Sequence, residues 1–334
     1  MGFFYRIFLS HTIGAQGVGI YQLTLPVHAI VLAACCMGIQ AAISRLCASF
    51  TALGNEKESR DALLLGAFLS MALCGLLSFL VYWNADFVAS VLLKEPRTAV
   101  LLRILAFSFP FSALHSCVNS FYYARKTTGI PAFILLLEQT SRIGSTYVIY
   151  LILISQKKEI TPVIAAGGAL FSELTATAAC MLALGLDFSR ENYKPVTGLF
   201  RRILRVFFCM SKGTHRDSPS AVKYISHIQP AFVKNNTATS LNSLIKEIAQ
   251  IAVPCSVNRL LLTLLSGIEM VLIPQRLLLS GINQTDSLSV YGIFYRNGAA
   301  ADSFPGNTDN SASVMLMPSV AGLQALGHEK KLRH

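Results

Sequence analysis

Long apolar runs separated by short polar connections dominate the chain. From Ile7 to Ser44 there is no Asp, Glu, Lys or Arg. Further apolar runs cover residues 62–83, 101–123, 130–154, 161–186 and 248–279. Because a helix needs about 20 apolar residues to cross a bilayer, each run predicts a transmembrane helix. The pattern predicts an all-α fold, a polytopic transmembrane helix bundle.

The first apolar run is too long for one helix, and its glycines predict where it breaks. Gly14, Gly17 and Gly19 favour a turn over residues 11–19. We therefore predict that residues 1–10 end one helix and that residues 20–50 form the next. Pro26 is expected to kink this second helix near its start.

Composition supports a membrane protein and argues against a soluble one. Hydrophobic residues make up 53% of the 334 positions, charged residues only 13%, and the mean hydropathy is +0.53. A soluble domain carries about 25% charged residues. In such a chain the net charge of +11 marks cytoplasmic loops, so no nucleic-acid partner is predicted.

The basic residues also predict an orientation. Alternate connections between the predicted helices hold fourteen and four Lys or Arg residues, and the richer set should be cytoplasmic. Most of this excess comes from residues 187–247, which we interpret as a basic cytoplasmic linker. Its residues 198–210 form a basic amphipathic pattern that suits an anionic membrane surface.

Signatures of metal sites and of enzymes are missing from the sequence. The eight Cys form no CxxC pair and six lie in apolar runs, which predicts small hydrophobic side chains and no disulfide or metal. The seven His are scattered, and no HExxH, GxSxG or Walker A string is present. We therefore predict no catalytic residue, no cofactor and no enzyme activity; a membrane-embedded enzyme would need clustered Asp, His or Arg.

Polar residues interrupt the fifth predicted helix near its centre. Glu138, Gln139 and Arg142 lie within the apolar run 130–154. Residues four apart share a helix face, so Glu138 and Arg142 can pair. Ionisable groups at membrane depth usually face a bundle interior or a water-filled cavity. The pair is a candidate cavity site, although an ion pair that only fixes helix packing would give the same pattern.

Six further polar residues are candidates for the same cavity. Glu173, deep in the sixth helix, is expected either to pair with Arg142 or to be protonated in a coupling step. Arg259 is the better candidate for binding a phosphate, because a guanidinium forks onto two oxygens. The others are Arg6 in the first helix, Arg45 near the end of the second helix, and Asn258 and Glu269 in the seventh helix. The position of Arg45 is also explained if its side chain snorkels, that is, extends to the lipid headgroups.

Seven short strings, taken in order, resemble one family. They are GAQGVGIYQLTLP (14–26), AAISR (41–45), EQTSRI (138–143), IAVPCSVNRLLLTLLSGIE (251–269), LIPQRLLLSG (272–281), VYG (290–292) and MPSVAGLQALGH (317–328). They are similar to the stage V sporulation protein B family. Its members are polysaccharide-flippase-like proteins of the multidrug/oligosaccharidyl-lipid/polysaccharide exporter superfamily. Arg6 matches only approximately the first-helix arginines of the related lipid II flippases.

The resemblance implies an architecture and a function. It implies two lobes of six helices, alternating access, and export of a lipid-linked cell-wall or polysaccharide precursor, in spore-formers for cortex peptidoglycan. The expected partners are a lipid-linked oligosaccharide or polyprenyl-diphosphate substrate, membrane lipids and cell-wall synthesis proteins. The expected location is the bacterial plasma membrane, with multiple passes.

The chain departs from the family pattern in three places. Residues 1–186 correspond to the first lobe with a shortened first helix, and residues 248–334 correspond to the start of a second lobe that is incomplete. Residues 294–310 are polar where the family is apolar, and we interpret them as a reading-frame artefact. Two other functions stay open: a cation-coupled multidrug exporter, which Glu138, Glu173 and Glu269 would suit, and a non-transporting membrane scaffold.

Overall fold

The computed structural model describes residues 2–157, 161–190, 241–280, 283 and 286–291, and these form a bundle of long helices. The helices are α1 (Gly2–Gln22), α2 (Leu25–Ala52), α3 (Glu56–Trp83), α4 (Thr98–Ala124), α5 (Gly129–Ser155), α6 (Val163–Arg190) and α7 (Leu241–Leu279). Short helical segments cover Ala85–Phe87, Val88–Leu92 and residues 286–291. Every element among the described residues is helical, which confirms the predicted all-α bundle. Most of the predicted linker, its amphipathic segment and residues 294–310 lie outside the described residues.

Five of these helices are long and apolar enough to cross a membrane, namely α2, α3, α4, α6 and α7. The protein is therefore a multi-pass membrane protein. Helix α5 has 27 residues, enough to span a bilayer, but its polar centre lowers its hydropathy. The predicted spans agree with the observed helices to within a few residues at most ends.

The chain breaks near its start inside the predicted turn, but at Gly14 alone. Gly14 has non-helical backbone angles (φ 72°, ψ 169°), and two helical stretches meet there across a kink; a φ of 72° is open to glycine but disfavoured for other residues. The other residues of 11–19 are helical, so the predicted turn is too long, and the chain turns again at Leu23 and Thr24. Pro26 does not kink α2, because it lies in the first turn. The backbone N–H groups of a first turn have no carbonyl partner within the helix, so the N–H that proline lacks is not needed there. The distortion in α2 is a π-helical segment at Ala33–Met37.

Helix α4 lies at the centre of the bundle and packs against α2, α3 and α6. Phe109, Phe121 and Tyr122 are among its fully buried side chains. The outer faces of the surrounding helices instead carry large exposed apolar side chains, such as Phe79, Phe133 and Leu265. An exposed apolar belt of this kind fits helices that face lipid.

Helix α7 lies directly against α2 through small residues. A Cβ atom placed on Gly38 would meet Ser256 Oγ at 2.0 Å and the Ala252 carbonyl oxygen at 2.3 Å. Small residues allow membrane helices to approach this closely, because association in lipid depends on packing. Gly38 therefore fixes the crossing point of α2 and α7.

A disulfide joins Cys35 of the π-helical segment to Cys74 of α3, so the prediction of no disulfide is wrong. Both cysteines lie in apolar runs, and sequence spacing gave no sign of the pairing because the residues are 39 apart. The packing of α2 on α3 brings them together. Cys36, Cys47, Cys117 and Cys180 are buried free thiols, as their apolar surroundings predicted.

Candidate functional site

The predicted pair on α5 forms and is buried. Arg142 Nη2 lies 2.6 Å from Glu138 Oε1. The two residues are one helical turn apart, so the regular geometry of α5 places them on one face. The Glu138 side chain is buried, and the Arg142 side chain is 24% exposed. The pair therefore faces the interior of the bundle, as the sequence predicted.

Arg142 also reaches across to α6. Its Nε atom donates a hydrogen bond to Ser172 Oγ at 3.1 Å, and its Nη2 atom lies 3.9 Å from Glu173 Oε1. The predicted approach of Glu173 to Arg142 is thus present. One guanidinium lies between two carboxylates on neighbouring helices, closer to the one on its own helix.

The fourth ionisable member of the site comes from α4. His115 Nδ1 lies 3.1 Å from Glu173 Oε2, and both side chains are buried. We name His115, Glu138, Arg142 and Glu173 the central cluster. It connects α4, α5 and α6 in the middle of the bundle.

Polar contacts around the central cluster hold α5 and α6 close together. Ser145 Oγ of α5 donates a hydrogen bond to the Gly168 carbonyl oxygen of α6 at 3.3 Å, and Thr175 Oγ1 of α6 donates one to Ser141 Oγ of α5 at 2.8 Å. A Cβ on Gly168 would meet Thr146 Oγ1 at 2.0 Å, so a glycine is needed at this contact. The Tyr5 hydroxyl of α1 lies 3.5 Å from Thr146 Oγ1 and closes the site on another side.

His28 Nε2, a buried polar atom near the cluster, has no hydrogen-bond partner among the described residues. The His28 ring stacks on Phe109, with ring centroids 5.2 Å apart. Buried polar groups are normally paired with protein or water. His28 Nε2 is therefore an exception to this rule within the described residues.

The charges of the central cluster are unequal. In their ordinary ionised forms, two carboxylates face one guanidinium, and the imidazole of His115 is neutral or positive according to its protonation. Arg142 is already paired, so an anionic ligand would have to displace a carboxylate to reach it. The arrangement can exchange ion-pair partners and can hold a proton, but it offers no activated nucleophile.

Four other predicted site residues lie apart from the cluster. Arg45, Asn258 and Arg259 carry exposed side chains on α2 and α7. Gln139 is half-buried, and its place one residue after Glu138 turns it to another side of α5. Arg6 and Glu269 belong to α1 and α7, but their side chains lie outside what the structure describes.

Sequence reasoning missed His115, although a usable signal was present. His115 lies inside the predicted span 101–123, far from either end. The rule that polar groups at membrane depth are functional candidates was applied to Glu and Arg but not to His. Applied to all ionisable residues, it would also have selected His28.

The fold and this site define a class of protein: a multi-pass helical membrane protein with an ionisable cluster inside its bundle. Comparison with known proteins places it more narrowly. Residues 1–148 match the family model described as MatE. This match includes Glu138 and Arg142 but ends before Glu173. No solved structure matches the chain.

The chain is also similar to a curated protein named Stage V sporulation protein B, from Bacillus subtilis (strain 168). The two are 25% identical over 192 residues, which is 58% of this chain and 36% of that protein. The chain thus spans just over a third of the length of this relative. Both matches confirm the resemblance predicted from the sequence strings, to Stage V sporulation protein B-like members of the MatE superfamily.

Proposed function

We propose that this chain acts in a flippase or exporter of the bacterial plasma membrane that moves a lipid-linked cell-wall or polysaccharide precursor. The superfamily match supports transport, and the name of the Bacillus subtilis relative supports a role in sporulation. The observation that carries the proposal is the central cluster. Ionisable groups in the middle of a membrane bundle are costly and mark transport pathways more often than simple anchors.

Arg142 is the residue that would respond to the substrate. Its Nη2 atom lies 2.6 Å from Glu138 and 3.9 Å from Glu173, so a small movement of α5 along α6 would exchange its carboxylate partner. Alternating access requires two states of this kind at a site near the membrane midplane. A diphosphate headgroup would favour the state in which Arg142 turns from its carboxylates towards the anion.

The test is a headgroup-accessibility assay in proteoliposomes that contain the chain and a fluorescent polyprenyl-diphosphate-linked sugar. We expect the chain to speed transfer between leaflets and Arg142→Ala to slow it about tenfold or more, the effect of about 1.4 kcal/mol. Arg142→Lys should give an intermediate transfer rate, because an ammonium keeps the positive charge but cannot bind two phosphate oxygens at once as a guanidinium does. Arg103→Ala, which removes an arginine at the helix ends, is the control and should transfer like the unchanged chain.

Two results would contradict the proposal. One is a transfer rate with the unchanged chain that equals that of empty liposomes. The other is an Arg142→Ala rate equal to that of the unchanged chain, which would remove Arg142 from the mechanism.

The excess of carboxylates in the cluster favours a second candidate, a cation-coupled multidrug exporter of the same superfamily. Glu138 and Glu173 outnumber Arg142, and a cationic drug would restore neutrality without displacing either acid. Efflux of a fluorescent cation such as ethidium from cells that express the chain tests this function. Ethidium efflux that Glu173→Gln abolishes, without any transfer of the lipid-linked sugar, would favour the drug exporter.

A further inference from the structure

A groove opens between the first turns of α5 and the last turns of α6, at one end of the bundle. Its volume is about 440 Å³, within the range of about 300–1,000 Å³ that is typical of ligand sites. The residues along it include Ile130, Phe133, Ala179, Leu182 and Leu186. Phe133, Leu182 and Leu186 are 65%, 66% and 64% exposed, whereas Ala179 is partly buried. The groove therefore has apolar walls that stand out from the bundle and a floor that includes a small residue.

One end of the groove lies at the level expected for lipid headgroups. Gly129, which lines it, is the first residue of α5, and Asp187, which also lines it, lies two residues before the end of the apolar span of α6 at Ser189. The connection from α4 to α5 belongs to the set of basic connections predicted to be cytoplasmic. A phospholipid of that leaflet would have its tail in the groove and its headgroup beside Asp187.

The rim of the groove carries an unbalanced carboxylate. Asp187 is the one charged residue among those that line the groove. None of the ion pairs among the described residues involves Asp187. Its carboxylate interacts with the hydroxyl of Tyr122 on α4, a group that is uncharged at neutral pH. Arg125, at the same end of the bundle, is paired with Glu56 at 3.3 Å. A cationic group of a ligand would therefore balance Asp187.

A positive charge lies on the neighbouring connection. Lys126 is exposed and precedes Gly129 by three residues, and the ion pairs within the described part of the chain do not include it. An ammonium of this kind attracts a phosphate as a point charge. Asp187 and Lys126 thus place one negative and one positive charge at the same end of α5 and α6. A zwitterionic headgroup, with a phosphate and an amine, carries the complementary charges.

We propose that this groove binds a phospholipid with a primary amine in its headgroup, phosphatidylethanolamine. One acyl chain lies in the groove, the ammonium group donates hydrogen bonds to Asp187, and Lys126 neutralises the phosphate. Phosphatidylglycerol brings only a negative charge towards Asp187, and the trimethylammonium of phosphatidylcholine has no N–H to donate. Repulsion and unmade hydrogen bonds discriminate against these two lipids. This binding does not depend on the proposed transport function.

Native mass spectrometry of the full chain, titrated in mild detergent with each of the three lipids, tests the proposal. The lipids carry identical acyl chains, and the mass of each complex gives the number of lipids bound per chain. We expect the first phosphatidylethanolamine to bind about fivefold more tightly than either other lipid, the strength of one exposed ion pair. Equal affinities for phosphatidylethanolamine and phosphatidylglycerol would overturn the proposal.

Charge variants separate the two contacts of the headgroup. Asp187→Asn keeps the size of the side chain and removes its charge, so the preference for phosphatidylethanolamine should fall to about onefold. Lys126→Gln should weaken all three lipids by similar factors and keep the preference, because each lipid has a phosphate. The control Asp86→Asn removes an exposed carboxylate at the other end of the bundle and should change neither quantity. A preference that survives in Asp187→Asn, or that Asp86→Asn also removes, would contradict the site.

A pair of neighbouring alanines tests the groove itself. Ala179→Leu adds a side chain inside the groove and should lower the affinity for all three lipids about fivefold or more. Ala178→Leu adds the same side chain on an exposed part of α6 that does not line the groove, and should bind lipid like the unchanged chain. Equal affinities in the two variants would place the lipid elsewhere. A complex with the mass of two chains, which Ala179→Leu dissociates, would make the groove a contact between copies and overturn the lipid site. Asp187→Asn decides the proposal if Ala179→Leu fails to fold.

Discussion

Arginine–carboxylate pairs occur both in the middle of the bundle and at the helix ends, and their distances are nearly the same. Arg142 and Glu138 lie 2.6 Å apart, and Arg103 and Asp86 lie 2.5 Å apart. Their exposure differs: the central side chains are 24% and 11% exposed, the peripheral ones 41% and 73%. Distance alone therefore does not indicate how strongly the two charges of a pair attract each other, because solvent screens the peripheral charges and not the central ones.

The two regions also differ in charge balance. Each pair near the helix ends contains one acid and one base, as in Arg97 with Glu95 at 2.6 Å. The hydrogen bond from Arg97 to Glu95 raises the pKa of Arg97, so this pair keeps its charges. The central cluster instead has two acids, one arginine and one histidine. The balanced pairs have one stable state, whereas the unbalanced cluster has alternatives, which the proposed transport cycle would require.

The comparison predicts its largest effect for removal of the central arginine. Arg142→Leu leaves two buried carboxylates without a fixed counter-charge and should lower the free energy of unfolding by about 3–5 kcal/mol. Unfolding of the detergent-solubilised chain in increasing SDS measures this change. Arg142→Leu/Glu138→Leu should lose less than the single variant, because Glu173 then balances a protonated His115. A single-variant loss below about 1 kcal/mol, typical of exposed pairs, would contradict the distinction between the two regions.

Much of the fold was predictable because a membrane-spanning helix needs a long apolar run without charged residues. The ends of α3 to α6 were predictable because charged residues mark the ends of these runs. The break at Gly14 was predictable because it needs a positive φ, which glycine adopts freely, but the predicted turn was too long because the residues around Gly14 stay helical. The Cys35–Cys74 disulfide depends on how α2 packs against α3, and no local pattern encodes that contact.

The candidate site was predictable within one helix and less so between helices. The spacing of Glu138 and Arg142 is local, so the 3.6-residue period gave their pairing directly. The approach of Glu173 was one of two expectations, since its rotation about α6 is set by packing. His115 reaches the site only because α4 is central and packs on α6, a tertiary contact with no signature in spacing.

A smaller effect is expected from packing at the level of the cluster. Gly168→Ala places a methyl group against Thr146 and the Arg142 carbonyl oxygen, so α5 and α6 must separate slightly. We expect a loss of about 1–3 kcal/mol in the free energy of unfolding, the usual effect of overpacking. Gly185 is a matched control on the same helix, exposed and with no atom within 4 Å of an added Cβ. Gly185→Ala should be neutral or stabilising by up to about 1 kcal/mol, and equal losses in both variants would show that the centre is not packed more tightly than the periphery.

The smallest effect is expected for the peripheral pair of Arg103 and Asp86. A double-mutant cycle with Arg103→Ala and Asp86→Ala should give a coupling free energy of about 0.2–1 kcal/mol, because solvent screens both charges. The cycle uses the same SDS unfolding measurement, and raising the salt concentration should reduce the coupling further. The corresponding cycle at Arg142 and Glu138 should be larger and nearly independent of salt, since those side chains are enclosed. A salt-sensitive coupling of the same size at both pairs would mean that water reaches the central cluster freely, and it would contradict the difference between the two regions.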